Sequence, residues 1–270
     1  MNAKQSDWFA YGALGAAAIA LVVALVAALD AGGDAGAGAP APGPVVTSPG
    51  GTVPQLGDGA EADPDADPAD IVATAAATMG AVTSVEFELT RTGAPVFVDQ
   101  FESIALDAAL GQFQVPTRAQ ATLDVTVDGN LRTRIGAVAI DSEVWMSNPV
   151  TGRFETLPEG YDIDPSRFFD PSGGWQPLLA NLTELRLVGV ENRGGERWHV
   201  RGTAGADDVE SITVGLVSGQ DVEVDLWIHP GTYLVTALEF DTALSGGTAH
   251  WSLELSRYGE RFTIEPPEGV

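Results

Sequence analysis

The sequence predicts an α+β domain built on a large antiparallel sheet with one wet face and one apolar face. Three observations carry this. Short runs of alternating polar and apolar residues recur from Ser84 to Glu254. Turn-forming clusters separate them: Asp128-Gly129-Asn130, Asn192-Arg193-Gly194-Gly195, Pro230-Gly231 and Ser245-Gly246-Gly247. Helical segments are few.

The 270 residues divide into an N-terminal segment (1–29), a linker (30–67) and a folded domain (68–270). Trp8 to Leu29 carry no charge and are nearly all Ala, Leu, Val, Ile and Gly. At 1.5 Å per residue the run reaches about 33 Å, enough for a hydrocarbon core of roughly 30 Å. Lys4 precedes it, and Asp30 and Asp34 follow. The cytoplasmic membrane is the expected partner of residues 8–29. The expected placement is single-pass, with the C-terminal domain extracytoplasmic. A cleaved signal peptide is the competing reading, with small residues near Val26 to Ala28 as the cut site.

Asp30 to Asp67 is rich in Gly, Ala, Pro and Asp. It has too little apolar surface to offset ordering entropy, so a disordered tether of roughly 35 Å is expected. Asp63, Asp65, Asp67 and Asp70 invite a calcium loop. Pro68 and Thr74, however, stand where an EF-hand needs Gly and Glu. A solvated acidic linker fits better.

Asp67-Pro68 is a helix start, Asp as N-cap and Pro in the first turn. Ile71, Val72, Ala75 and Met79 make one face, and the helix is expected to end near Gly80. Strands follow. Val85, Phe87 and Leu89 alternate with Glu86 and Glu88. Leu123, Val125 and Val127 alternate with Asp124 and Thr126. Leu131 and Ile135 oppose Arg132 and Arg134. Later runs pair Trp198 and Val200 against Arg197 and His199, and Leu226 and Ile228 against Asp225 and His229. Leu238 and Phe240 oppose Glu239 and Asp241. Trp251 and Leu253 oppose His250 and Glu254. Glu143 to Ser147 does not reveal which face looks inward. Further helices are expected after Asp164-Pro165, near Trp175 to Leu182, and near Ala206 to Ile212. About ten strands offer more apolar face than these helices cover. Either the sheet curls on itself or a cavity remains between sheet and helices.

Charge and composition exclude several functions. Acidic residues number 38 against 13 basic, for a net charge of −25. By charge, nucleic acid is not expected as a partner, and neither is anionic lipid through a polybasic patch. There is no Cys, which excludes disulfides, thiol catalysis and a lipid-modified Cys. His199, His229 and His250 fall at positions read as outward and solvated, without zinc-motif spacing. No nucleophile elbow, dinucleotide fingerprint or phosphate loop is present. No cofactor is expected and no catalytic residue is assigned. Trp145, Trp198, Trp227 and Trp251 read as core or sheet-face residues rather than sugar platforms.

Several segments together resemble the LppX/LprG-type (LppX_LprAFG) lipoproteins of the actinobacterial cell envelope. They are the Ala-rich helix leading into Thr83–Leu89, the hairpin Thr126–Asn130, and Asp164-Pro165-Ser166-Arg167. Asp170-Pro171-Ser172-Gly173-Gly174 runs on into Leu178–Asn181. Val224–Ile228 and Leu255-Ser256-Arg257-Tyr258-Gly259-Glu260 complete the set. The resemblance spans Asp70 to Pro267. It implies a strongly curved half-barrel sheet, helices across its concave face, and a large apolar cavity. It also implies a non-enzymatic carrier of acylated lipids, of glycolipid or triacylglycerol type, between inner membrane and outer envelope. A lipid exporter is a conceivable further partner. The family's lipid-modified Cys is missing here. The alternative is a non-catalytic structural or assembly module of the envelope without a cavity.

Burial physics favours such a role: at about 0.8 kcal/mol per CH₂, a sixteen-carbon chain costs roughly 12 kcal/mol to expose. Expected cavity-lining residues are Phe87, Leu89, Leu106, Leu123, Val125, Val127 and Ile135 on strands. Leu178, Leu179 and Leu182 on the covering helix would close the space. Leu123 is the central candidate, and Leu123→Trp is expected to fill the cavity and lower lipid loading without unfolding the domain.

Overall fold

The computed structural model describes residues 60–97, 102–141, 143–148, 151–156, 175–212 and 217–268. Residues 8–29, most of the linker and the expected turn after Asp164-Pro165 lie outside these. Among the described residues no helix is long and apolar enough to cross a membrane.

Three helices are described: α1 (Pro68–Met79), α2 (Trp175–Ala180) and α3 (Ala206–Ile212). Asp67 caps α1, its carboxylate accepting from the Ala69 amide at 2.8 Å. Ile71, Val72, Ala75, Ala76 and Met79 form the buried stripe of α1.

The strands are β1 (Ser84–Gly93), β2 (Ile104–Gln114), β3 (Arg118–Val127), β4 (Leu131–Ile140), β5 (Glu143–Ser147) and β6 (Phe154–Thr156). The second half holds β7 (Thr183–Asn192), β8 (Glu196–Ala204), β9 (Val222–Ile228), β10 (Val235–Leu244) and β11 (Gly247–Ser256). They form one antiparallel sheet of 11 strands, ordered β6-β5-β4-β3-β2-β1-β11-β10-β9-β8-β7. The sheet is open, with β6 and β7 at its edges, so it does not close into a barrel. Its centre is a seam between the first and last strands, running from Glu86 opposite Ser256 to Gly93 opposite Ala249.

The inward residues of both halves join α1 in one apolar core. Tyr258, just after β11, is buried in that core. Its hydroxyl donates to the Val235 carbonyl and lies 3.7 Å from the Met79 sulfur. Burial pushes the Tyr258 phenol well above its ordinary pKa.

A second apolar cluster lies apart from the core. Phe262 and Ile264, from the chain after β11, cover Val138, Ile140 and Trp145. The Arg118 guanidinium donates to the Ile264 carbonyl, and the Phe262 amide donates to Gln114. This resolves the ambiguous run in β5. Val144 and Met146 face the main core and Trp145 faces the C-terminal strap, so all three are buried.

Some expectations need correction. Leu131 is 60% exposed, because it sits at the tip of the β3–β4 hairpin, opposite Val127. Ala62 and Ala66, placed in the linker by composition, pack against the domain. The Ala62 amide donates to Glu196, and the Trp198 indole donates to the Asp63 carbonyl. His199 and His229 are buried rather than solvated. The β9–β10 turn wraps His229, whose Nδ1 accepts from the Gly231 and Thr232 amides.

Candidate functional site

The apolar face is not uniformly filled. An apolar gap of about 30 Å³ remains where α2 and α3 meet β8, β9 and β10. Leu178 and Leu179 of α2, and Leu182 just after it, form one wall. Val209 of α3 and Ala204 at the end of β8 form another. The floor is Val222, Val224 and Leu226 of β9 with Leu238 and Phe240 of β10. The alternation of β9 sets that floor, since Val222, Val224 and Leu226 share one side of the strand. No side chain lining the gap is polar or titratable, so no group there can hold a metal or move a proton. The volume is near the share of a single water in the liquid, but the lining offers a water no partner.

Three of the ten expected lining residues meet at this gap: Leu178, Leu179 and Leu182. The other seven do not. Phe87, Leu89, Leu106, Leu123, Val125 and Ile135 are buried in the apolar core, and Val127 is half-buried and packs against it. The β9 and β10 residues of the floor carried the same alternation but were not singled out. A sequence signal did exist, since the helix bearing Leu178 and Leu179 leads directly into the chain half that contains these strands.

The apolar gap beneath α2 and α3 is far smaller than the large cavity expected between sheet and helices. Ligand sites usually measure about 300–1,000 Å³, ten times this gap or more. The helices lie on the sheet with their leucines inserted.

The polar face of β7–β9 carries the densest titratable cluster. His199 is 8% exposed at its side chain. Its Nδ1 lies 2.7 Å from Glu191, and its Nε2 lies 2.6 Å from Asp225. Its ring stacks on Trp227 at 4.6 Å, and Trp227 donates its indole N–H to Glu191 at 2.8 Å. Arg193, from the β7–β8 turn, lies 4.1 Å over the Trp227 ring and reaches Glu239 and Glu254. The Trp227 hydrogen bond holds the Glu191 carboxyl below its ordinary pKa; partial burial opposes this and His199 adds to it. Burial pushes Asp225 up, but hydrogen bonds from Arg201 and His199 outweigh it and leave the carboxyl lowered. Both imidazole nitrogens are engaged, so neither is left to act on a substrate. The cluster is a clamp that fastens the β7–β8 hairpin across β9–β11. Sequence alternation placed His199 on this face but could not reveal the Trp227 ring stacked on it. Among the described residues no group of three or more acidic or histidine side chains could hold a metal ion.

Comparison with known proteins gives the frame for this site. LprF from Mycobacterium bovis aligns over 77% of this chain and 100% of its own, at 15% identity and a TM-score of 0.61. LppX from Mycobacterium tuberculosis aligns over 74% of this chain and 100% of its own, at 18% identity and a TM-score of 0.52. At such identities the likeness speaks for the fold. No curated protein sequence matches this chain. The profile of the LppX_LprAFG lipoproteins matches residues 67–264, which is more than half of the sequence. With the open antiparallel sheet and its few helices already described, that match establishes that the chain belongs to the LppX_LprAFG lipoprotein family.

Proposed function

We propose that this protein binds the acyl chains of a lipid at the gap beneath α2 and α3, and carries that lipid outside the cytoplasmic membrane without catalysing a reaction. The observation that carries this reading is the lining: a gap bounded only by apolar side chains, under two short helices, on the apolar face of this family's sheet. At about 30 Å³ the gap is a seed for a binding site and not the full site. An acyl chain enters by lifting α2 and α3 off β9 and β10. Those helices have six and seven residues, far below the roughly 12–15 at which an isolated helix holds itself. Their stability comes from the leucines and valine they insert, and an acyl chain replaces those contacts with equivalent ones. Leu178, Leu179 and Leu182 are then the moving wall, and Leu226 and Leu238 the fixed one.

The small size of the gap favours a second reading, in which the domain is an envelope assembly module with no cargo. Lipid extraction and mass spectrometry on the full chain, purified from its native host, separates the two. Stoichiometric acylated lipid supports the carrier. A folded protein that stays free of lipid after incubation with host membranes favours the assembly module.

A further inference from the structure

The connections β1–β2, β3–β4 and β10–β11 lie along one end of the sheet, as the antiparallel register requires. At that end, on strands β1 to β4, is an open polar groove of about 600 Å³. This lies within the roughly 300–1,000 Å³ usual for ligand sites. Arg91, Arg132 and Arg134 line it together with Asp107 and Asp124. Three of the chain's 13 basic residues thus meet two acids, a local positive excess on a protein of net charge −25.

The three arginines are not equivalent. Arg91 is only 8% exposed and is immobilised. It donates to the carbonyls of Leu106, Gly93 and Ala94, and to Asp107 at 2.7 Å. A bulge in β2 between Leu106 and Ala108 presents Asp107, whose second oxygen accepts from Thr126. Arg134 pairs with Asp124 at 2.7 Å but remains 75% exposed. Arg132 stands opposite Thr126 and has no ion-pair partner among the described residues. Asp107 is therefore answered by Arg91 and Asp124 by Arg134, and the charge of Arg132 is left over. Arg132 and Arg134 are two residues apart on one strand, so they share a face about 7 Å apart. That spacing suits an anion with several oxygens, since guanidinium groups bind phosphate through paired N–H donors.

We propose that this groove binds a phosphate group between Arg132 and Arg134, with Arg91 as a fixed positive backing. The site is separate from the apolar gap, and the proposal does not depend on that gap taking lipid.

The test is NMR of the arginine Nε–H signals of the full chain in non-ionic detergent. The probes are inorganic phosphate, glycerol 3-phosphate and dihexanoyl phosphatidylglycerol. The Arg132 and Arg134 signals are expected to move saturably, while those of Arg186 and Arg257 stay in place. The double variant Arg132→Gln/Arg134→Gln is expected to weaken binding at least tenfold. Tenfold tighter binding of dihexanoyl phosphatidylglycerol than of inorganic phosphate or glycerol 3-phosphate, lost in Arg132→Gln/Arg134→Gln, identifies a lipid headgroup as the source. Equal binding of all three identifies free phosphate. The proposal is overturned if no probe gives a saturable shift. It is overturned equally if the double variant, folded by near-UV circular dichroism, binds as tightly as the parent.

Discussion

The two halves of the sheet bury similar apolar faces and end in different states. On β1–β3 the inward residues Phe87, Leu89, Leu106 and Leu123 are at most 2% exposed. Under β8–β10 an equally apolar set leaves open space beneath α2 and α3. The gap lies under the short helices α2 and α3, of six and seven residues, whereas α1 is 12 residues long, is capped by Asp67 and presents a continuous stripe.

The sharpest way to break this comparison is to make a hole in the first half. Leu123→Ala is expected to cost about 2–5 kcal/mol, because the 0%-exposed side chain has no neighbour free to collapse into its place. Chemical denaturation measures it, and a loss below about 1 kcal/mol would mean that this half is as loose as the other. Filling the gap in the second half should matter less to stability. Val224→Trp is expected to cost about 1–3 kcal/mol by overpacking and to reduce bound acyl lipid several-fold. Extraction from the folded variant reads the lipid, and unchanged content would move the binding site elsewhere. Leu123→Trp, at a 0%-exposed position away from this gap, tests the earlier expectation: lower bound lipid in a folded variant would place a cavity there, and loss of folding would not.

The smallest effect concerns the polar face over the second half. Asp225 and Glu191 have lowered carboxyl pKa values in the folded state. Groups of that kind add stability that is present above their unfolded pKa and lost as pH falls through the folded one. The window therefore lies below about pH 4. Asp225→Asn should flatten the stability curve in that window, measured by thermal melts from pH 5 to pH 2. A variant curve parallel to the parent's would separate the clamp from acid sensitivity.

Much of this fold was legible because alternation is a local property. β1, β3, β9 and β11 announced their inward sides residue by residue, and Asp128-Gly129-Asn130 marked its hairpin. β2 was less legible, because Ala105, Ala108 and Ala109 blur the pattern and the bulge at Asp107 shifts its phase. β7 was obscured by two register shifts and by its half-exposed edge position. The candidate site was legible only in part. Leu178, Leu179 and Leu182 could be named, but period-two patterns tell which way a side chain points and nothing about the space left before it. The burial of His199 depended on the Trp227 ring stacked on it and that of Trp145 on the C-terminal strap, both drawn from distant chain.

The central seam has a consequence for biogenesis. Its two strands lie at opposite ends of the domain sequence, so the middle of the sheet is the last joint to be closed. Until β11 has been synthesised, β1 presents a bare backbone edge flanked by Phe87 and Leu89, and any matching strand can dock there. Two copies in that state hold complementary half-sheets and can exchange them, giving an intertwined dimer with the same hydrogen bonds. Speed of closure along this seam, more than the strength of either half, then decides whether the chain matures alone or as a tangled pair.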